Sequence, residues 1–235
     1  MPVYSNAGVP HPELYPHWVV KKTGVPLLLE SDWPEAAIGS KYGIVNNGLG
    51  EGGNVYRDYE HFLGGLGSCY ATTGNVIGAA TGVQIISPFT NVGLIGFEHR
   101  WLPGSTSDWD FGFEWDVRAR MRYVGATGEW MYESDADTFT GFDMPVTVSK
   151  PSIAQTGDRW GWARLVIDLE AERYVSFEAA GQDKKLHFRD MASIRLPDPL
   201  LGVGPFDFKI FAIATARAAS NQTSYTTNWC VSRLD

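Results

Sequence analysis

DFGFEWDVRARMR, residues 110–122, alternates charged or small side chains with apolar ones over thirteen positions without a break. Because successive side chains of a β-strand point to opposite faces, a period of two predicts a strand with one core face and one solvated face. The even positions carry the charge, and the odd positions are apolar: Phe111, Phe113, Trp115, Val117, Ala119 and Met121. Such a strand is typical of an antiparallel sheet that is covered on one side only.

Shorter strand-like segments accompany this one along most of the chain. Residues 83–87 and 92–101 predict a hairpin whose second strand lies beside the charged strand; the other candidates are residues 144–148, 160–169, 173–181, 206–216 and 225–231. The 235 residues include 26 glycines and 13 prolines, too many for a bundle of helices. The pattern predicts an all-β fold with little helix, a two-sheet antiparallel jelly-roll β-sandwich.

The N-terminal segment differs from the rest of the chain in its proline content. Five of the first thirty residues are proline, which disfavours a regular helix or a central strand there. We therefore predict an irregular arm over residues 1–37 that packs on a single β-sandwich domain of residues 38–235.

Charge and hydropathy exclude several classes of partner. The formal net charge is −8 and there is no long run of basic residues, so a nucleic-acid-binding surface is not expected. No apolar stretch approaches the roughly 18 residues of a membrane span, and the first residues lack the charged and apolar parts of a signal peptide. We expect a cytoplasmic protein with no membrane partner, in which Cys69 and Cys230 are reduced thiols.

The order of the later strands resembles that of a known fold family. The charged strand is followed by a strand with Trp162, Leu165, Ile167 and Asp168, and then by an Arg-Tyr-Val strand that ends at Gly181. Over residues 80–235 this order resembles the concanavalin A-like lectin/glucanase jelly roll. The resemblance implies an oligosaccharide or small-molecule ligand on the concave face, and the family includes binding modules, glycoside hydrolases and polysaccharide lyases.

One motif of the retaining glucanases in this family can be compared position by position. Their Glu-x-Asp-x-Glu strand is matched by Glu114 and Asp116, whereas Arg118 replaces the second glutamate, one of the two carboxylates of double displacement. Residues two apart on a strand lie about 6.6–6.8 Å apart on one face, so both acids can touch one ligand. Glu114, Asp116 and His99, as a general base, are the candidate catalytic residues; the alternatives are a solvated face of ion pairs and a core histidine.

Candidate substrate-binding residues accompany these three positions. A guanidinium can hold a polyhydroxylated or anionic ligand, and an exposed indole can stack on the apolar face of a sugar. The candidates are Glu98, Arg100, Trp101, Trp109, Arg118, Arg120 and Trp130. The alternative for the tryptophans is ordinary packing inside the sandwich.

An acidic loop raises the question of a bound metal. Its oxygen ligands could hold calcium, although their spacing is not that of an EF-hand: Glu133, Asp135, Asp137 and Asp143. We expect no cofactor, with calcium as the alternative. The sequence as a whole predicts a carbohydrate-active protein that binds and cleaves a glycoside or oligosaccharide. A non-catalytic binding module and an assembly subunit, including a homo-oligomer, are the alternatives.

Overall fold

The structure is a computed structural model that describes residues 27–31, 41–58, 68–87, 93–102, 104, 107–114, 117–144, 160–181, 185–197 and 208–234. These residues form strands joined by turns and loops, and no helix among them could cross a membrane. In chain order the strands are β1 (Leu27–Ser31), β2 (Lys41–Asn46), β3 (Asn54–Asp58), β4 (Ser68–Thr72), β5 (Ala80–Ser87), β6 (Leu94–Leu102), β7 (Ser107–Glu114), β8 (Arg118–Tyr123), β9 (Trp130–Asp135), β10 (Thr138–Phe142), β11 (Gly161–Asp168), β12 (Arg173–Ala180), β13 (Leu186–Asp190), β14 (Phe208–Ala216) and β15 (Thr223–Arg233).

The strands form two antiparallel sheets that pack face to face. The first sheet has the order β13-β12-β11-β6-β15-β4-β3, with β1 also paired to β15. The second sheet has the order β10-β9-β8-β7-β14-β5-β2. Side chains from both inner faces form a single core, as in other β-sandwiches. The predicted all-β, two-sheet antiparallel sandwich with little helix is therefore confirmed.

The alternating stretch that predicts this fold is two strands rather than one. It covers most of β7 and all but the last residue of β8, which pair as a hairpin with Glu114 opposite Arg118 and Asp110 opposite Arg122. Every pair in this register joins two even-numbered or two odd-numbered residues, so the alternation passes through the turn unchanged. Apart from Trp115, which lies outside the described residues, the odd positions are buried as expected.

The predicted hairpin of residues 83–87 and 92–101 is wrong. Strand β5 pairs with β2 and β14 in the second sheet, whereas β6 pairs with β11 and β15 in the first sheet. Strand β6 thus faces β7 across the core instead of lying beside it. The antiparallel pair expected from residues 160–169 and 173–181 is confirmed as β11 and β12.

The N-terminal arm is described in one place only. Leu27–Ser31 is not irregular: it forms β1 and pairs with β15. The remaining residues of the predicted arm lie outside the described residues, as do most of the expected strand at 144–148 and the side chain of Cys69. Cys230, on β15, is buried.

The core between the sheets is unusually aromatic. Trp101 and Phe97 from β6 meet Trp130 and Phe111 from the opposite sheet; the ring centroids of Trp101 and Trp130 are 5.3 Å apart. Aromatic rings bury large apolar areas and favour tilted or edge-to-face contacts of this kind. These contacts fill the space between the two sheets with side chains.

Candidate functional site

The outer face of the second sheet carries the charged half of the alternating stretch. Asp110 and Glu114 on β7 lie on this face with Arg118, Arg120 and Arg122 on β8, because register pairs share a face in an antiparallel sheet. The Arg122 guanidinium donates two hydrogen bonds to the Asp110 carboxylate, at 2.7 Å and 2.6 Å. In this bidentate pair, the Arg122 guanidinium and the Asp110 carboxylate already satisfy each other with two hydrogen bonds.

A fully buried carboxylate on β9 organises the other two arginines. Glu133 accepts hydrogen bonds from Arg118 Nε at 2.8 Å, from Arg118 Nη2 and from Arg120 Nη2 at 3.2 Å. The same carboxylate accepts the backbone N–H of Asp137 at 2.8 Å. Asp137 in turn accepts hydrogen bonds from both guanidiniums, at 3.1 Å and 2.8 Å. Two arginines and two acids thus form one network, and Arg120 connects it to Asp110, with Nη1 4.0 Å from Oδ2.

The network shifts the protonation equilibria of its members. Burial lowers the pKa of the Arg118 guanidinium, but the hydrogen bond to Glu133 and the charge of Glu133 outweigh burial, so that pKa is raised overall. Burial raises the pKa of the Asp137 carboxyl, but the hydrogen bond from Arg120 and the charge of Arg118 lower it by more. Both shifts favour the charged forms, so the ion pairs persist across the neutral range.

A tyrosine from the opposite sheet holds this network in place. Tyr174 on β12 crosses the core, and its hydroxyl accepts a hydrogen bond from the backbone N–H of Arg120 at 3.1 Å and donates one to the backbone carbonyl of Glu133 at 3.0 Å. The ladder between β8 and β9 ends at the pair of Met121 and Tyr132. The next residues beyond this end of the ladder are Arg120 on β8 and Glu133 on β9. The hydroxyl therefore bridges two strands where their own ladder has ended.

Tyr174→Phe is expected to reduce the free energy of unfolding by about 1–3 kcal/mol, because it leaves the N–H of Arg120 and the carbonyl of Glu133 without their partner. Urea denaturation followed by tryptophan fluorescence measures the change. Tyr132→Phe is the matched control, since Tyr132 packs against the Tyr174 ring with centroids 5.8 Å apart and no hydrogen bond of its hydroxyl is found in the described residues. Equal losses in the two variants would refute the bridging role.

Beside the network lies a small open depression of about 90 Å³. It is lined by Gln84, Glu114, Arg118, Arg120, Phe211 and Ile213. Gly112 lies opposite Phe211 and Arg120 in the ladders and contributes no side chain; a Cβ there would lie 1.8 Å from the carbonyl oxygen of Ala119. The depression is large enough to hold several waters or the polar edge of a larger ligand.

Glu114 differs from the other acids of this face. Its nearest cation is Lys209 on β14, with Nζ 3.6 Å from Oε1, and its side chain is 29% exposed. Asp110, Glu133 and Asp137 all accept short hydrogen bonds from arginines. Among these four carboxylates, Glu114 is therefore the one that accepts no hydrogen bond from an arginine of the described residues.

The structure describes two of the three candidate catalytic residues, and it places them on opposite sides of the second sheet. Glu114 lines the depression, Asp116 lies outside the described residues, and His99 is fully buried between the sheets. Trp109 Nε1 donates a hydrogen bond to His99 Nε2 at 3.0 Å, and burial lowers the pKa of His99 to about 3. The imidazole of His99 is neutral and enclosed on the inner face of β6, so it does not reach the depression on the outer face of the second sheet.

The expected stacking platforms are also buried. Trp101, Trp109 and Trp130 all lie in the core with at most 1% of their surface exposed, so none offers a ring face to a ligand. Glu98 and Arg100 are buried as well, on the outer side of the first sheet, where their register partners are Arg164 and Trp162. Of the expected binding residues, only Arg118 and Arg120 line the depression.

Two of the four acids of the expected calcium loop form ion pairs with arginines. Glu133 and Asp137 bind the arginines of β8, and Asp135 and Asp143 are exposed. The described residues contain no group of three or more His, Cys, Asp or Glu side chains placed to hold a metal ion. The arginines were visible in the sequence, but their pairing with this loop was not.

Three lining residues were missed by the sequence analysis. Gln84 comes from β5, and Phe211 and Ile213 come from β14. Ile210 and Ala212 of β14 enter the core, while Phe211 and Ile213 face outward between Lys209 and Thr215. Two large apolar residues on the outer face of a strand were the available signal that this face also belongs to a partly enclosed surface.

Solved structures with similar folds match the chain at low identity. Cellulose induced protein Cip1 has 12% identity and a TM-score of 0.49, over 83% of this chain and 92% of that one. The carbohydrate recognition domain of Emp47p has 10% identity and a TM-score of 0.49, over 89% and 94%. The exoplasmic/lumenal domain of VIP36, in a Ca²⁺/Man3GlcNAc-bound form, has 8% identity and a TM-score of 0.48, over 89% and 88%. No protein-family model and no curated protein match the sequence.

Proposed function

We propose that the protein binds a carbohydrate in the depression on the outer face of the second sheet. The observation that carries this proposal is the composition of the lining, in which Phe211 and Ile213 lie beside the polar groups of Gln84, Glu114 and the two arginines. A sugar has apolar C–H faces and a rim of hydroxyl groups, and it needs both kinds of contact at once. Small-molecule sites commonly combine an apolar lining with a few placed polar groups.

Binding without cleavage is the form of this function that the described residues favour. Glycoside hydrolysis ordinarily uses two carboxyl groups on either side of the scissile bond. Among the described residues that line the depression, Glu114 supplies the carboxylate, while Asp110 and Glu133 nearby are held by arginines. The described residues that line the depression include no second acid that could act as proton donor or nucleophile.

Gln84→Ala is expected to weaken binding of the oligosaccharide about three- to tenfold, because one neutral hydrogen bond contributes about 0.5–1.5 kcal/mol. Gln84 is half-buried on the outer face, so the free energy of unfolding should change little. A glycan array identifies the ligand, and isothermal titration calorimetry gives the ratio of dissociation constants.

Glu170→Gln serves as the control, since Glu170 is exposed in the turn after β11, away from the residues that line the depression. The binding site is elsewhere if Gln84→Ala and Glu170→Gln bind equally well. The same titrations are analysed by chromatography for released sugars, and turnover above the buffer blank would contradict binding without cleavage.

A further inference from the structure

The charges around the depression balance one another. Arg118 and Arg120 are matched by Glu133 and Asp137, and Lys209 is matched by Glu114. All of these pairs lie within 4.0 Å, so each cation has a carboxylate in direct contact. No surplus positive charge is left among these six residues to attract an anion.

On this basis we propose that the depression selects neutral, hydroxyl-rich sugars and rejects uronic acids, with Glu114 as the residue that sets this specificity. The inference rests on the proposed function, since it concerns the same site. A ligand carboxylate would have to compete with Glu133, which is fully buried and holds both guanidiniums. It would also lie in the same depression as the half-buried Glu114 carboxylate, and two like charges close together repel.

A neutral hydroxyl group meets neither obstacle. It brings no charge for the Glu114 carboxylate to repel, and its proton can be donated to that carboxylate. A ligand carboxylate has no proton to donate, so it cannot form this hydrogen bond.

The test compares neutral and acidic ligands of equal length. Trisaccharides of glucose, mannose and galactose are titrated beside the corresponding uronic acid trisaccharides by calorimetry, at 50 mM and 500 mM sodium chloride. We expect the preferred neutral trisaccharide to bind at least tenfold more tightly than its uronate. The affinity of the neutral ligand should change less than twofold with salt, because no net charge is neutralised on binding.

Glu114→Gln tests the role of the specificity residue. The substitution keeps the shape and removes the repulsion, so the ratio of neutral to acidic affinity should fall at least threefold, mainly through tighter uronate binding. Glu170→Gln should leave the ratio unchanged, and circular dichroism confirms that both variants fold.

The outcomes separate this inference from the function on which it rests. Tighter or equal binding of the uronates, or an unchanged ratio in Glu114→Gln, overturns the specificity while carbohydrate binding stands. Failure of the wild type to bind any of the six trisaccharides and any glycan on the array overturns the proposed function and this inference together.

Discussion

Glu133→Gln is expected to lower the free energy of unfolding by about 3–5 kcal/mol, the cost typical of removing one partner from a buried ion pair. The Glu133 carboxylate is fully buried and compensates two guanidiniums that are themselves largely buried. An amide presents one acceptor oxygen and no charge, so Arg118 and Arg120 would share the exposed Asp137 as their remaining counterion in the network. The urea midpoint at pH 7 measures the loss.

Asp135→Asn is the matched control for this substitution. Asp135 lies two residues along the same strand, is exposed, and accepts a local backbone hydrogen bond from Ala136. Its variant should stay within about 0.5 kcal/mol of the wild type, as is usual for surface positions. The buried network is unimportant for stability if Glu133→Gln loses no more than this control.

Acidification from pH 7 to pH 4 is expected to remove about 3 kcal/mol of stability through His99 alone. Burial lowers the pKa of His99 in the folded protein to about 3, against 6.5 for an exposed imidazole. Between these two values the unfolded chain binds a proton that the folded protein does not. The contribution of His99 is therefore complete above pH 6.5 and is lost progressively as the pH falls towards 3.

His99→Gln isolates this effect from the titration of the carboxyl groups. The glutamine keeps an acceptor for the indole N–H of Trp109 but cannot be protonated, so the decline of stability between pH 7 and pH 4 should be shallower by about 3 kcal/mol. His187→Gln, on the edge strand β13, is the control and should retain the wild-type slope. Parallel pH profiles for the wild type and His99→Gln would show that the buried imidazole does not cause the acid sensitivity.

The burial of His99 also shows that the alternation pattern predicts the face of a residue but not the neighbouring strand. Alternation places His99 and Trp101 on one face of their strand, and the structure agrees. The pattern does not say which strand lies alongside, and β6 pairs with β11 and β15 instead of β7. His99 consequently meets Trp109 across the core rather than across a ladder, and the same cause buries the indoles that were expected to bind sugar.

The alternating stretch itself has a similar limit. Its two faces follow from a period of two, because each side chain along a strand is forced to the opposite side of the sheet. A turn that preserves even and odd positions leaves that period intact, so one long strand and a hairpin with Glu114 opposite Arg118 have the same sequence pattern. The turn brings Glu114 and Arg118 to the same edge of the depression.

The sequence by itself determined the class of the fold and the two faces of its strands, because composition and period are local properties that any antiparallel sandwich must satisfy. Only the tertiary structure decided the site. Gln84 and Phe211 are more than a hundred residues apart and meet because β14 lies between β5 and β7. Glu133 was visible as an acid, but its burial against Arg118 and Arg120 depends on the ladder of β8 and β9 and on Tyr174 from the opposite sheet. Such pairings are chosen by the packing of the whole core, which no local pattern encodes.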